Sequence, residues 1–340
     1  MNLFGRGIQK EGGHRFILYG VLGLVLILFP LIIHDIYFIH LINLAGIGTL
    51  LALGLNLILG FAGQISIGQA AYYAVGAYLS ALLATRYGFV FWINLPLAGV
   101  AAAFCAVLFA PVLRLRGHFL AMATIAFGEI VRIILLTWDP VTNGPRGIIG
   151  IPHPKIINFT FSTDARYYYI ILASVAISFL IVNLIIHSRT GRALRAIRDD
   201  QDAAWTCGIS ITYYKTLVFA LGGFFSGIAG SLYAHLTGYI SPDLATFSQS
   251  VQILVMVVVG GIGLIAGSAL GAVAMVVVPE YLRIFQHFRL IVYSVVLLLM
   301  IIYAPKGLAG LLGSLSKTFN NKAKLFLEKR KLETVGEKKS

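Results

Sequence analysis

Uncharged runs set the rhythm of this chain. Ile36–Thr85, Tyr87–Leu113, Tyr167–Ser188, Thr216–Pro242 and Leu244–Pro279 contain no Asp, Glu, Lys or Arg, whereas a helix that crosses a bilayer needs only about 20 consecutive apolar residues. The pattern predicts helical spans near 16–33, 36–60, 69–85, 92–113, 119–137, 168–187, 217–236, 249–263, 266–283 and 290–305. The fold class implied is an all-α polytopic membrane protein with about ten transmembrane helices. The first run follows Arg6, Lys10 and Arg15, the layout of a signal peptide, but no small-residue cleavage pattern comes after it. An uncleaved first span is expected.

Two segments depart from plain apolar helix. One is Gly60-Phe61-Ala62-Gly63-Gln64-Ile65-Ser66-Ile67-Gly68-Gln69; the other is Gly260-Gly261-Ile262-Gly263, followed by Gly267. Irregular backbone at membrane depth must be buried in protein or line a wet cavity, because lipid offers it no hydrogen bond. Paired Gly-interrupted segments in two halves of a chain point to a translocation path and an inverted repeat. Small residues also serve simply to let helices approach. Both readings stand for Gly60, Gly63, Gly68, Gly260, Gly261 and Gly263. A polar lining is the expectation for Gln64, Ser66 and Gln69, since amides facing lipid are expensive.

Composition narrows the class. Of 340 residues, 59% are apolar and 11% charged, against about 25% charged in soluble proteins. The net charge of +13 raises the question of nucleic acid. The basic residues, however, lie in short segments between apolar runs and not on one folded surface, so the reading is a lipid bilayer and no nucleic acid. With the N-terminus inside, nineteen Lys and Arg fall in inner segments and six in outer ones, with Arg132 inside a span. Cytoplasmic loops collect Lys and Arg, so the bias places both termini in the cytoplasm. The organisation then reads as a cytoplasmic N-terminus at 1–15, a transmembrane domain at 16–305 and a basic cytoplasmic tail at 306–340.

Catalytic chemistry finds no foothold. The chain has no Gly-x-x-x-x-Gly-Lys-Ser/Thr phosphate loop and no His-Glu-x-x-His, and Cys105 and Cys207 have no ligand spacing around them. No catalytic residue, metal or cofactor is expected. One ionisable pair does lie within a span. Glu129 and Arg132 are three residues apart, share a helix face and can neutralise one another. Intramembrane charge is costly enough to mark function; a place beside a substrate path and a lock to a neighbouring helix or subunit are both open readings.

The inner loop 188–215 carries Gly191–Trp205, which has helical periodicity. Arg192, Arg195, Asp199 and Asp202 fall on one face, and Leu194, Ile197, Ala204 and Trp205 on another. An amphipathic cytoplasmic helix is predicted. Asp199, Asp200 and Asp202 disfavour an anionic membrane surface and favour a protein partner.

At this loop a family resemblance becomes specific. Asp202-Ala203-Ala204-Trp205-Thr206-Cys207-Gly208 resembles the Glu-Ala-Ala, three residues, Gly loop by which permeases of ABC importers dock on their ATPases, with Asp202 in place of Glu. The Ile-x-Leu-Pro that usually follows is absent. From about Leu44 to Leu312 the chain resembles the LivM-type permease of branched-chain amino acid ABC importers. The blocks are Leu55–Ala71, Leu113–Gly117, Ala126–Ile130, Thr142–Ile148, Ser188–Gly208 with Lys215, Tyr239–Asp243 and Val259–Gly263. Asn143, where the family often has Gly, and Arg146, where a small or polar residue is common, are departures.

The resemblance implies a permease subunit of the bacterial inner membrane and not an enzyme. Its partners would be a second, LivH-type permease subunit, two cytoplasmic ABC ATPases and a periplasmic binding protein for Leu, Ile or Val. It implies ATPase coupling at Arg195, Arg198, Asp202, Ala203, Ala204 and Gly208. The breaks, with Glu129 and Arg132, would border the path. A urea or short-chain amide permease of the same superfamily and an ion-coupled secondary transporter using Glu129 are the alternatives.

Overall fold

The structure is a computed structural model that describes residues 28–30, 35–115, 117–156, 159–161, 163–281, 298 and 307–310. The expected first and tenth spans, 16–33 and 290–305, and the terminal segments 1–15 and 311–340 lie wholly or almost wholly outside the described residues. Within them the chain is helical. The long elements are α1 (Ile36–Asn56, continued by a π turn at Leu57–Phe61), α2 (Gln69–Arg86), α3 (Phe91–Leu108), α4 (His118–Thr137) and α5 (Asp164–His187). Two short helices, α6 (Arg189–Asp199) and α7 (Gln201–Thr206), precede α8 (Ile211–Thr237), α9 (Phe247–Gly260) and α10 (Ile265–Tyr281). The bounds agree with the eight middle spans read from the hydrophobic runs to within a few residues, the start of α8 differing most.

Loop contacts sort the connections to two ends, as alternating spans require. At one end Arg86 donates to the carbonyls of Pro140 and Val141 at 2.8 and 2.9 Å, and Trp92 Nε1 to Lys155 O at 3.2 Å. There too His40 meets Asp164 at 3.1 Å, and Ile148–Ile149 pairs antiparallel with Tyr239–Ile240. At the other end lie the 189–206 loop and the turns that follow α1, α3 and α9, with Lys215 Nζ 3.5 Å from Leu113 O. Successive long helices therefore alternate in direction between the two ends.

Burial separates the helices into centre and rim. In α1, 83% of the most apolar window is buried, and in α8 67%, whereas α4 and α5 reach only 28%. The rim exposes Phe104, Leu108, Phe119, Met122, Leu180 and Leu184. Such an apolar surface would be an aggregation hazard in water and suits a hydrocarbon solvent. Close approach at the centre rests on small residues: a methyl placed on Gly227 of α8 would lie 2.7 Å from Ala102 Cβ of α3, so only glycine permits this contact.

One segment runs inside the bundle without helical structure. Gln69, the first residue of α2, donates to Gly222 O at 3.0 Å and Ser226 Oγ at 2.6 Å, and Ala70 N to Ser250 Oγ at 3.3 Å. Ser250 lies ten residues before Gly260, a distance of about 15 Å along α9. The α2 helix therefore begins at depth, and residues 62–68 lead to it from the loop end as non-helical chain. Irregular backbone at membrane depth, expected from the Gly60–Gln69 pattern, is present and buried in protein. Its donors are satisfied by Thr124 Oγ1 for Ile67 N at 3.0 Å and by Ile58 O for Gln64 N at 3.0 Å.

Candidate functional site: two glycine breaks and the loop beneath them

The π turn at Leu57–Phe61 ends α1, with Ala62 N bonding five residues back to Leu57 O at 3.2 Å. The turn widens the helix where it meets the second break, Gly261–Leu264. Asn56 joins them. Its Oδ1 accepts from Gly263 N at 2.9 Å, while Nδ2 donates to Leu264 O at 2.9 Å and Ser268 Oγ at 3.0 Å. A methyl on Gly60 would lie 2.6 Å from Gly263 N, so the two breaks are in van der Waals contact through bare backbone. Segments about 200 residues apart in sequence thus form one polar knot. The sequence reading singled out Gly60 and Gly263 but not Asn56, whose signal was an amide in an apolar run next to a break.

The other glycines divide between packing and turning. Gly260 sits against Gly267, where a methyl would lie 2.6 Å from the Gly267 carbonyl carbon, so it serves the approach of α9 to α10. Gly261 and Gly63 have φ of 117° and 64°, the region that disfavours side chains. A methyl on Gly68 would lie 2.6 Å from Thr124 O.

The non-helical segment alternates exposed and buried positions over 63–66. Gln64, Ser66 and Gly68 are buried, while Gly63 and Ile65 are exposed. Gln64 turns back to Ala62 O at 3.0 Å. Ser66 Oγ and Gln69 Oε1 have no hydrogen-bond partner among the described residues. The polar side chains expected to line an open path instead face the chain's own interior, and the outward face of the segment is glycine and isoleucine. The alternation of exposed and buried positions through this segment, which the sequence did not reveal, decides this.

Glu129 and Arg132 form the ion pair their spacing predicts. Glu129 Oε1 accepts from Arg132 Nε at 2.9 Å and Nη2 at 2.7 Å. With side-chain exposures of 43% and 32%, the pair sits on the outer face of α4, beside exposed Ile130 and Ile133, and does not touch the glycine breaks.

The amphipathic loop differs from the single helix expected over 188–215. It breaks at Asp200 (φ −156°, ψ 117°) into α6 and α7, because the Asp200 carboxylate accepts from Asp202 N at 2.8 Å and Ala203 N at 3.1 Å. This is an N-cap, and it starts a new helix inside the predicted one. The break also rotates the faces. Ala204 is buried, but Trp205, expected beside it on the apolar face, is 69% exposed. Gly208 has φ of 79° and closes α7: its N–H goes to Trp205 O at 2.9 Å, and Ile209 N to Ala204 O at 3.1 Å. This double closure needs the left-handed conformation. A groove of about 500 Å3 beside it is lined by Leu113, Gln201, Asp202, Trp205, Ile211 and Lys215. Arg195 donates to Gly191 O and Ile186 O, both at 3.2 Å, anchoring α6 to the end of α5. Arg198 Nη1 reaches Gly60 O at 2.5 Å.

At the opposite end an open cavity of about 910 Å3 is lined by Asp139, Pro140, Asn143, Pro145, Arg146 and Gly147. Asn143 has φ of 59°, a conformation that Asn tolerates better than other side chains. The Asn at this position therefore keeps the turn that Gly would make.

Comparison with known proteins agrees with this architecture. The family model described as "Branched-chain amino acid transport system / permease component" matches residues 37–305. The high-affinity branched-chain amino acid transport system permease protein LivM of Escherichia coli is 34% identical, over 94% of this chain and 84% of that protein. LivM of Salmonella typhimurium is 38% identical, over 76% of this chain and 67% of that protein. The permease protein LivH of E. coli is 23% identical, over 79% of this chain and 93% of that protein. No solved structure matches.

Proposed function

We propose, from the premise that this chain belongs to the branched-chain amino acid transport permease family, that it is the LivM-type half of an ATP-driven importer of branched-chain amino acids in a bacterial inner membrane. It works beside a LivH-type permease subunit, two cytoplasmic ATPases and a periplasmic binding protein. The end carrying α6 and α7 faces the cytoplasm, as do both termini. The observation that carries this reading is the loop end itself. There a short helix with exposed Trp205 and Asp202 lies beside a groove, and the helix before it, α6, meets the two glycine breaks through Arg198.

The chain supplies a path wall and a docking element, and the ATPases supply the energy. The pairs α1–α2 and α9–α10 are each a helix, a glycine break and a returning helix; they run in the same direction and meet break to break, so the breaks themselves are not related by the inverted repeat that their pairing suggested. The exposed edge of the re-entrant segment, Gly63 and Ile65, then borders the path on the side of the second permease subunit. An apolar edge suits Leu, Ile or Val better than urea or a small amide. The carboxylate of Glu129 is already engaged by Arg132, which disfavours the ion-coupled carrier.

Co-purification of the tagged chain with the ATPases and the LivH-type subunit tests the assembly, followed by ATP hydrolysis with the loaded binding protein. The expected result is a stable complex whose hydrolysis rises with leucine-loaded binding protein. A chain that purifies without ATPases, or hydrolysis that rises with urea and not with leucine, overturns the proposal.

A further inference from the structure

We infer that Arg198 is the pin that joins the 189–206 loop to both glycine breaks, so that displacement of the loop by an ATPase is passed directly to the re-entrant segment. The inference rests on the importer reading above and gives Arg198 a different task from docking. The π turn leaves the Gly60 carbonyl without a helical partner, since Gln64 N goes to Ile58 O and the chain beyond is not helical. Arg198 Nη1 fills that position at 2.5 Å. Its stem lies on Gly63, where a methyl would be 2.9 Å from Arg198 Cγ and 3.3 Å from its Cα. The same Nη1 would be 3.2 Å from a methyl on Gly263. One guanidinium thus bonds the first break and lies beside the second, and Asn56 already ties the two to each other.

The far side of the linkage is equally firm. Helix α6 starts with an N-cap, Thr190 N to Ser188 Oγ at 3.1 Å, and buries Leu194 and Ile197 against the bundle. Arg198 itself is exposed at the C-terminal end of α6, just before α7. A helix fixed in this way moves as a rigid lever, and the lever ends on the Gly60 carbonyl. Glycine at 63 leaves room for the Arg198 stem and glycine at 263 for its guanidinium, while glycine at 60 lets the second break come close enough for one side chain to reach both. A planar, permanently charged donor suits the site better than a flexible ammonium.

The test uses the complete complex in proteoliposomes, with Arg198→Met, which keeps the apolar stem and removes the donors, and Arg198→Lys, which restores a cationic donor. Both are expected to retain the ATPases at the parental ratio. Leucine moved per ATP hydrolysed is expected to fall about tenfold in the Met variant, the size of a typical coupling between sites, and to recover in part in the Lys variant. Parental transport per ATP in Arg198→Met overturns the inference. So does loss of ATPase co-purification, which would make Arg198 a docking contact. Should the Met variant not accumulate, Arg198→Gln is read in the same way. If the parent complex binds no ATPase or moves no leucine, the importer reading itself fails before any variant is compared.

Discussion

Asn56 lies immediately before the π turn and commits all of its hydrogen-bonding atoms to the second break, through Gly263, Leu264 and Ser268. Removing it takes away three hydrogen bonds, two to part-buried backbone groups and one to the buried Ser268 hydroxyl, each worth about 0.5–1.5 kcal/mol. Asn56→Ala is therefore expected to lower the stability of the detergent-solubilised protein by about 2 kcal/mol or more, with a clear fall in melting temperature. Asn56→Asp keeps the acceptor for Gly263 and should fall between, and an Ala variant that melts like the parent would remove the knot from the account. At the other candidate residue, Glu129→Gln leaves Arg132 without its carboxylate on an apolar helix face. The single variant is expected to reduce the assembled permease pair, and adding Arg132→Gln to restore part of it, because an unpaired charge costs more than losing both. Quantitative pull-down of the second subunit checks this. The i, i+3 spacing made this pair legible in sequence. The partner of Arg198, 138 residues away, carried no local signal.

Helix α7 has only six residues, Gln201–Thr206, and stands because both of its ends are capped. Asp200 holds the first N–H groups, and Gly208, at φ of 79°, closes the last carbonyls. A side chain in that conformation costs about 1–2 kcal/mol. Gly208→Glu and Ala204→Glu are expected to leave the permease in the membrane at normal level while weakening ATPase co-purification and abolishing uptake. A Gly208→Glu complex that purifies and transports like the parent would reduce α7 to a connector. Periodicity could not show the break between α6 and α7, because apolar positions continue in helical phase across it. The clue was chemical: Asp199-Asp200-Gln201-Asp202 offers a helix-starting carboxylate in mid-run. The long helices were legible because each is apolar over most of its length. The alternation of exposed and buried positions over 63–66 was not, since glycine, serine and glutamine at that spacing fit a lining and an inward-facing edge equally well.

At the scale of the whole molecule, the loop contacts sort into two ends, and the Lys and Arg bias predicts which of them faces the cytoplasm. A reporter active only in the cytoplasm is expected to work when fused within 191–208 or after Ser340, and to be silent within 139–166. A signal from 139–166 would invert the topology. The span pattern and the two breaks were readable from hydropathy and glycine. That the breaks meet each other and the loop depends on the packing of α1 against α10 and of α6 against the π turn, contacts between residues far apart in the chain. These parts are proposed to belong to an ATP-driven path for branched-chain amino acids. The most direct measurement is uptake of labelled leucine by proteoliposomes holding this chain, a LivH-type subunit and the two ATPases, with binding protein outside and ATP inside. The expected result is uptake that requires ATP and loaded binding protein and is competed by isoleucine and valine. Uptake that persists without ATP under an ion gradient, or no uptake of any branched-chain amino acid by the assembled complex, would contradict it.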